Sequence, residues 1–260
     1  MIPRNPSLTA VAARLTAAGA VYADDEAALL LEAADDSRAL RALVAERVAG
    51  VPLEHILGWA EFDGRRVAVT PGVFVPRQRT LLLARAAIDA LPTGGTAIAV
   101  ELCCGSGAVA AALAHARPGL TVHAADIDPV AIACATTNLA GRGEVHTGDL
   151  FEPLPFTLRG RISVLVANAP YVPTAEIDQL PSEARDHEPR HALDGGTDGL
   201  DVQRRLIAAA PDWLAPQGVL LIETSRHQAE RTAALCSAAG LRTNTLTDDT
   251  LDATVVRAAR

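Results

Sequence analysis

Apolar residues recur every three or four positions through the first fifty residues, and three short amphipathic helices are expected there. Ser7 is placed to cap one that carries Val11, Leu15 and Ala18 and stops at Gly19. Asp24 is placed to cap a second with Leu29, Leu30 and Leu31. A third holds Leu40, Leu43, Val44 and Val48 and ends at Gly50, before Pro52. The pattern changes over residues 58–75. Trp59, Phe62, Val67, Val69, Val73, Phe74 and Val75 are β-formers, punctuated by the turn pairs Asp63-Gly64 and Pro71-Gly72. This reads as a hairpin linker ending in Pro76-Arg77. A helix over 80–90 follows, closed by Leu91-Pro92.

From residue 96 strand and helix patterns alternate. Strands are expected at 96–102, 121–126, 144–149, 162–167 and 218–224. Helix-compatible stretches lie at 108–116, 129–140, 199–214 and 227–239. Such alternation implies an α/β fold, a doubly wound, mostly parallel sheet with helices on both faces. The tail breaks the rule, because 241–246 and 253–258 are strand candidates joined by only a few residues. That spacing suits an antiparallel hairpin rather than a crossover. Three parts are expected: an N-terminal helical domain over 1–57, the β-hairpin linker over 58–79, and the main α/β domain over 80–260.

Composition narrows the function classes. At 260 residues and 49% hydrophobic the chain has ample core, and at 3% aromatic that core must be built from Ala, Val and Leu. The net charge of -8 argues against a nucleic-acid coat or an anionic membrane surface as partner. Cys103, Cys104, Cys134 and Cys236 form no Cys-x-x-Cys pair, and no histidine stands at finger spacing from them. Reduced thiols are therefore expected, with neither a disulfide framework nor a zinc site. No apolar stretch follows Met1-Ile2-Pro3-Arg4-Asn5-Pro6, and no apolar run approaches the ~18 residues of a membrane span. A soluble cytoplasmic protein is expected.

Two strand ends carry the candidate chemistry. Gly105-Ser106-Gly107 follows the strand that ends in Glu101 and opens a helix. Glycines there allow a sharp turn and close approach to a ligand, whose anionic groups would face the helix amides. Position 110 is Ala, so the third glycine of a dinucleotide fingerprint is missing. This turn alone would serve NAD, a nucleotide or S-adenosylmethionine. Asp126 ends the next strand about twenty residues after Gly105, the place of a ribose-binding acid. Asp128, before Pro129, competes for that role and also reads as a helix cap. Asp149 and Leu150 offer a carboxylate for an exocyclic amine and an apolar cover for a ring; a solvated turn after Gly148 is the other reading of Asp149. Glu101 is placed to meet a cationic ligand end. Asn168-Ala169-Pro170-Tyr171 closes the strand 162–167 and brings an amide, a fixed carbonyl and an aromatic face to the same sheet edge. Those groups suit a planar amide or amine being methylated on nitrogen.

Taken together these motifs resemble the HemK/PrmC protein-(glutamine-N5) methyltransferases, which modify peptide chain release factors. The likeness spans most of the chain. It includes the linker motifs over 58–64 and 71–77, the turn 101–107, Gly148-Asp149-Leu150-Phe151-Glu152-Pro153-Leu154 and the tetrad 168–171. It also includes the family-specific block 185–200, with Arg185-Asp186-His187-Glu188-Pro189-Arg190 and Asp194-Gly195-Gly196. The resemblance implies a class I S-adenosylmethionine-dependent methyltransferase fold, of which the terminal antiparallel hairpin is the mark, and a small N-terminal helical domain of three or four helices. It implies S-adenosyl-L-methionine as methyl donor and a protein glutamine as acceptor, with a release factor as partner; composition and cysteine spacing already argue against nucleic acid, membrane and metal. Oligomeric state stays open. Carried over by position, Asn168 and the carbonyl of Ala169 would hold the glutamine amide. Pro170, Tyr171 and Phe74 would complete its pocket. Glu101, Cys103, Cys104, Gly105, Ser106, Gly107, Asp126, Ile127, Asp149, Leu150 and Asn168 would surround the cofactor.

Three motifs depart from the family pattern and mark a divergent paralogue. Ala169 stands in place of the first proline of Asn-Pro-Pro-Tyr, which keeps the carbonyl but removes a constraint on φ. Pro76-Arg77-Gln78-Arg79-Thr80 puts Arg79 where the family has an acid; Arg79 reads equally as a solvated helix-start residue. Glu223-Thr224-Ser225 replaces Glu-Ile-Gly. Two other function classes remain: an adenine-N6 nucleic-acid methyltransferase, which shares such tetrads but must flip and stack a base, and a non-catalytic cofactor-binding paralogue.

Overall fold

The computed structural model describes residues 7–94 and 96–260. Residues 1–6, on which the reading of the N-terminus partly rests, lie outside them. Helices α1 (Leu8–Ala17), α2 (Ala23–Ala33) and α3 (Ser37–Val48) pack about Val11, Leu15, Leu30, Leu40 and Val44. Ser7 caps α1 as its position predicts, accepting from the Ala10 N–H. The capping role expected of Asp24 is not found. Helix α2 begins one residue earlier, and Asp24, Asp25 and Glu26 sit in its first turn, where their charge complements the helix N-terminus. The sequence also hides a one-turn helix, α4 (Leu53–Leu57), ended by Gly58 in the left-handed region.

The hairpin is shorter than its β-forming residues suggest. Strands β1 (Trp59–Phe62) and β2 (Arg65–Ala68) pair across Asp63-Gly64. Val73 and Val75 lie outside both strands, and bury instead against Ala131 and Cys134. Helix α5 (Leu81–Asp89) leads into the main sheet.

Seven strands form that sheet in the order β5-β4-β3-β6-β7-β9-β8. They are β3 (Ile98–Leu102), β4 (Thr121–Asp126), β5 (Glu144–Thr147), β6 (Ile162–Ala167), β7 (Leu214–Glu223), β8 (Arg242–Asp248) and β9 (Ala253–Ala259). Strands β3 to β7 run parallel, and β9 inserts antiparallel between β7 and β8. This is the class I methyltransferase variant of the doubly wound sheet. The crossovers use α6 (Ala108–Ala116), α7 (Pro129–Leu139), α10 (Asp201–Trp213) and α11 (Ala229–Ala238), while short helices α8 (Ser182–His187) and α9 (Arg190–Leu193) precede α10. One sheet face buries Val122, Val164 and Leu221 under α5 and α6, and the other buries Val100, Leu165 and Leu220 under α10 and α11. The core is aliphatic and alanine-rich, as the composition requires.

Arg47 joins the N-terminal helices to the sheet domain. It pairs with Glu26 of α2 at 2.6 Å and with Glu183 of α8 at 2.6 Å. Among the described residues no helix is long and apolar enough to cross a membrane.

Candidate active site

Strand order reverses between β3 and β6, with β4 on one side and β7 on the other. Parallel strands that diverge in this way leave a crevice at their carboxyl ends. Here it is a cleft of about 1060 Å³. From β3 come Glu101, Cys103, Cys104, Gly105 and Ser106; from β4 come Asp126 and Ile127; the exit of β5 brings Asp149 and Leu150. Strand β6 contributes Asn168, Ala169, Pro170 and Tyr171, and the segment after the hairpin brings Phe74. All of these line the one cleft.

Gly107, expected among the ligand contacts, is the exception. It does not line the cleft. A Cβ at Gly107 would lie 2.9 Å from Ala135 Cβ, so its glycine lets α6 approach α7. The anion-binding role expected of the α6 amides also needs revision. The Ala110 N–H donates to Glu101 Oε2 at 2.7 Å and is already engaged. Glu101 is therefore buried with a partner. Burial nonetheless pushes its carboxyl up to about 8; nearby Asp126 adds to the rise, and the Ala110 and Val109 amides oppose it.

Asp126 accepts from the Gly105 N–H at 2.8 Å and from the Asp128 N–H at 2.9 Å, tying the glycine turn to the end of β4. Burial raises its pKa, against those two hydrogen bonds. The competing candidate Asp128 caps α7 through the Val130 N–H and stands outside the cleft wall. Asp149 is half-buried and ion-paired with Arg205 of α10, which is also in the wall; it is not a solvated turn residue. Cys103 and Leu150 hold positive φ, at 53° and 49°, in the stretches that curve around this half of the cleft. Such strained non-glycine backbone concentrates at functional sites. Ile127 is 58% exposed, an apolar side chain in the cleft wall that follows Asp126 in the chain.

In the other half, Asn168 Nδ2 donates to Thr80 Oγ1 at 3.4 Å, which leaves Oδ1 as its free acceptor. Ala169 is buried, and the backbone beyond it is braced by the 185–200 block. Val172 N–H donates to Leu193 O, Gly195 N–H to Val172 O, and Thr174 N–H to Gly196 O. A Cβ at Gly199 would come within 2.3 Å of Tyr171 O, so that block fits the tetrad only with glycine there. This is a physical reason for the block to follow the tetrad in sequence.

Arg79 is not a solvated helix-start residue. It lies in the cleft wall 3.5 Å from Glu223 and beside the Tyr171 hydroxyl. Thr80, Arg205, Thr224 and the ion pair of Arg77 with buried Glu188 also belong to the site or its support. Arg77 and Glu188 lie inside recognisable motifs, which was their only signal. Arg205 sits among the polar positions of α10 and carries none.

Residues 65–183 match the family model of the methyltransferase small domain. The chain is 40% identical over 209 residues to the release factor glutamine methyltransferase of Geobacter sulfurreducens, an alignment covering 79% of this chain and 72% of that protein. It is 40% identical over 204 residues to the release factor glutamine methyltransferase of Moorella thermoacetica, covering 76% and 70%. The fold is similar to that of the T. thermophilus 16S rRNA N2 G1207 methyltransferase in complex with AdoMet and guanosine. That likeness has a TM-score of 0.56 at 20% identity and covers 78% of this chain and 49% of the other.

Proposed function

The chain belongs to the release factor glutamine methyltransferase family, and from that membership we propose that it methylates the side-chain amide nitrogen (N5) of a release-factor glutamine, with S-adenosyl-L-methionine as donor. The observation that carries the reading is the meeting of two half-sites in one cleft: Glu101 to Ser106 with Asp126, Ile127, Asp149 and Leu150 on one side, and Asn168 to Tyr171 with Phe74 on the other.

The residues present suit the cofactor. Asp126, Asp149 and the exposed apolar side chain of Ile127 share the cleft wall, a set that fits a ribose diol and the amino edge of a base resting on a hydrophobic surface. Glu101 and the backbone of Cys103 to Ser106 would receive the cationic amino-acid end. When bound, the cofactor supplies a methyl group activated by its sulfonium.

The protein's task is to make a poor nucleophile attack. An amide lone pair is delocalised into its carbonyl. Asn168 Oδ1 and the Ala169 carbonyl accept the two N–H groups and so fix the plane of the glutamine amide and enrich its nitrogen. Tyr171 and Phe74 hold that plane from its faces and exclude water, which strengthens the two polar contacts. Once the methyl is attached the nitrogen is cationic and strongly acidic, so its extra proton passes to a neighbouring oxygen or to water as the product leaves, and no strong general base is required of the tetrad. Cytoplasmic action on a protein partner is part of the same proposal.

The deciding experiment incubates the purified protein with methyl-labelled S-adenosylmethionine and the release factors of its host, followed by mass-spectrometric mapping. Label on a glutamine N5 is the predicted result. Binding of the cofactor with no labelled glutamine would sink the reading.

A further inference from the structure

Away from the cleft, three potential ligands converge where edge strand β5 meets β4. His123 Nδ1 lies 3.0 Å from His146 Nε2, and Glu144 Oε2 lies 3.6 Å from the first and 4.0 Å from the second. His123 pairs in register with Glu144, so the sheet itself sets their spacing. We propose that His123, Glu144 and His146 form a binding site for one divalent transition cation of the zinc class, cross-linking β5 to β4.

The separations carry the argument. The point equidistant from three atoms so spaced lies about 2.1 Å from each, which is the bond length zinc takes to imidazole nitrogen and carboxylate oxygen. Two imidazoles and one carboxylate also form the donor set that favours borderline metals over magnesium or calcium. A hydrogen bond between the rings accounts for the histidine pair alone. It does not account for Glu144, whose carboxylate approaches the same two nitrogens without reaching hydrogen-bond distance of either. A cation shared by the three groups would account for the position of all of them.

The local structure gives the ion a consequence. β5 is a four-residue edge strand held to the sheet on one side only. His123 is buried on the inner strand, while Glu144 is largely exposed and leaves the position reachable from solvent. An ion binding the folded protein and not the unfolded one would raise the unfolding temperature by mass action.

The test uses tag-free, metal-stripped protein. Zinc chloride is titrated calorimetrically, and thermal unfolding is followed with zinc and with chelator. One equivalent bound and a higher unfolding temperature with zinc are the expected results. His146→Gln should weaken binding by at least about tenfold and remove the thermal shift. Glu144→Gln, at an exposed position that leaves folding intact, should weaken binding by a smaller factor. The idea is overturned if the wild-type protein binds no zinc at sub-millimolar concentration. It is equally overturned if both variants bind it as the wild type does, since the ion would then sit elsewhere, as on the four free thiols.

Discussion

The Arg79 guanidinium Nε stands 3.5 Å from Oε1 of Glu223, a carboxylate with 1% of its residue surface exposed at the end of β7. At that separation the contact is an ion pair rather than a short hydrogen bond, and Arg79 is the counter-charge at hand. Burial pushes the Glu223 carboxyl up, and Thr80 and Arg79 pull it back. We predict that Arg79→Ala lowers stability by about 2 kcal/mol, less than a wholly buried pair would lose because the guanidinium is partly exposed. The variant raises the folded-state pKa of Glu223 further above its unfolded value. The native state then binds more protons, and stability falls as pH rises. Urea unfolding at pH 5.5 and pH 8 should show a deficit larger at pH 8, and Glu223→Gln in the same background should abolish the difference. An equal deficit at both pH values would count against the pairing.

Asn168 can serve the acceptor amide only with its own carbonyl, and it faces the cleft with Nδ2 on Thr80 Oγ1. Asn168→Ala should abolish methyl transfer while leaving cofactor affinity within about an order of magnitude, since its grip acts mainly on the acceptor. Thr80→Val keeps the buried shape but removes the partner of Nδ2. It should lower kcat by roughly tenfold through misorientation, about the worth of one neutral hydrogen bond. Unchanged kcat/KM in Asn168→Ala would refute the role given to its amide.

Proline is absent at 169, yet the chain that follows is braced through Leu193, Gly195 and Gly196. Ala169→Pro should therefore be tolerated and leave transfer equal or faster, by restricting the unfolded chain and Asn168 alike. Gly199→Ala should do the opposite. Its φ of +76° and the 2.3 Å approach of a new Cβ to Tyr171 O require the tetrad loop to move. A loss of about 2–4 kcal/mol and a fall in kcat are expected. Paired activity and melting measurements on both variants decide this; wild-type kcat in Gly199→Ala would show that the brace is dispensable.

The alternation of strand and helix was legible because each central strand is buried on both faces and each crossover helix is bounded by glycine, proline or an acidic cap. β4, β6, α6 and the antiparallel tail fall where the pattern puts them. Val73 and Val75 misled, because a β-forming residue buried by a helix is indistinguishable in sequence from one paired in a sheet. In the site, strand ends were legible because topology alone delivers them to one edge. Arg79 with Glu223 and Asp149 with Arg205 were not, since each joins residues far apart along the chain, and neither partner's spacing encodes the other. Gly107 illustrates the same limit: a glycine selected for helix packing reads like one selected for a ligand.

Glu101 gives the ligand-free protein a distinctive pH dependence. Its carboxyl titrates near 4.5 when unfolded and is pushed up to about 8 in the fold by burial beside Asp126. The folded state therefore binds the extra proton between those values, and stability declines as pH rises through that window, by up to about 1.4 kcal/mol per unit. Glu101→Gln keeps an acceptor for the Ala110 N–H and removes the charge, so its stability should vary less between pH 5.5 and pH 7.5, with Asp126 supplying what slope remains. Binding the cationic end of S-adenosylmethionine would favour the ionised carboxylate. Cofactor affinity should then rise with pH toward 8, and binding heats at pH 7 should depend on the ionisation enthalpy of the buffer, reporting proton release. In Glu101→Gln that buffer dependence should vanish. Buffer-independent heats in the wild type would show that Glu101 is ionised before the cofactor arrives, and would remove the carboxyl from the coupling.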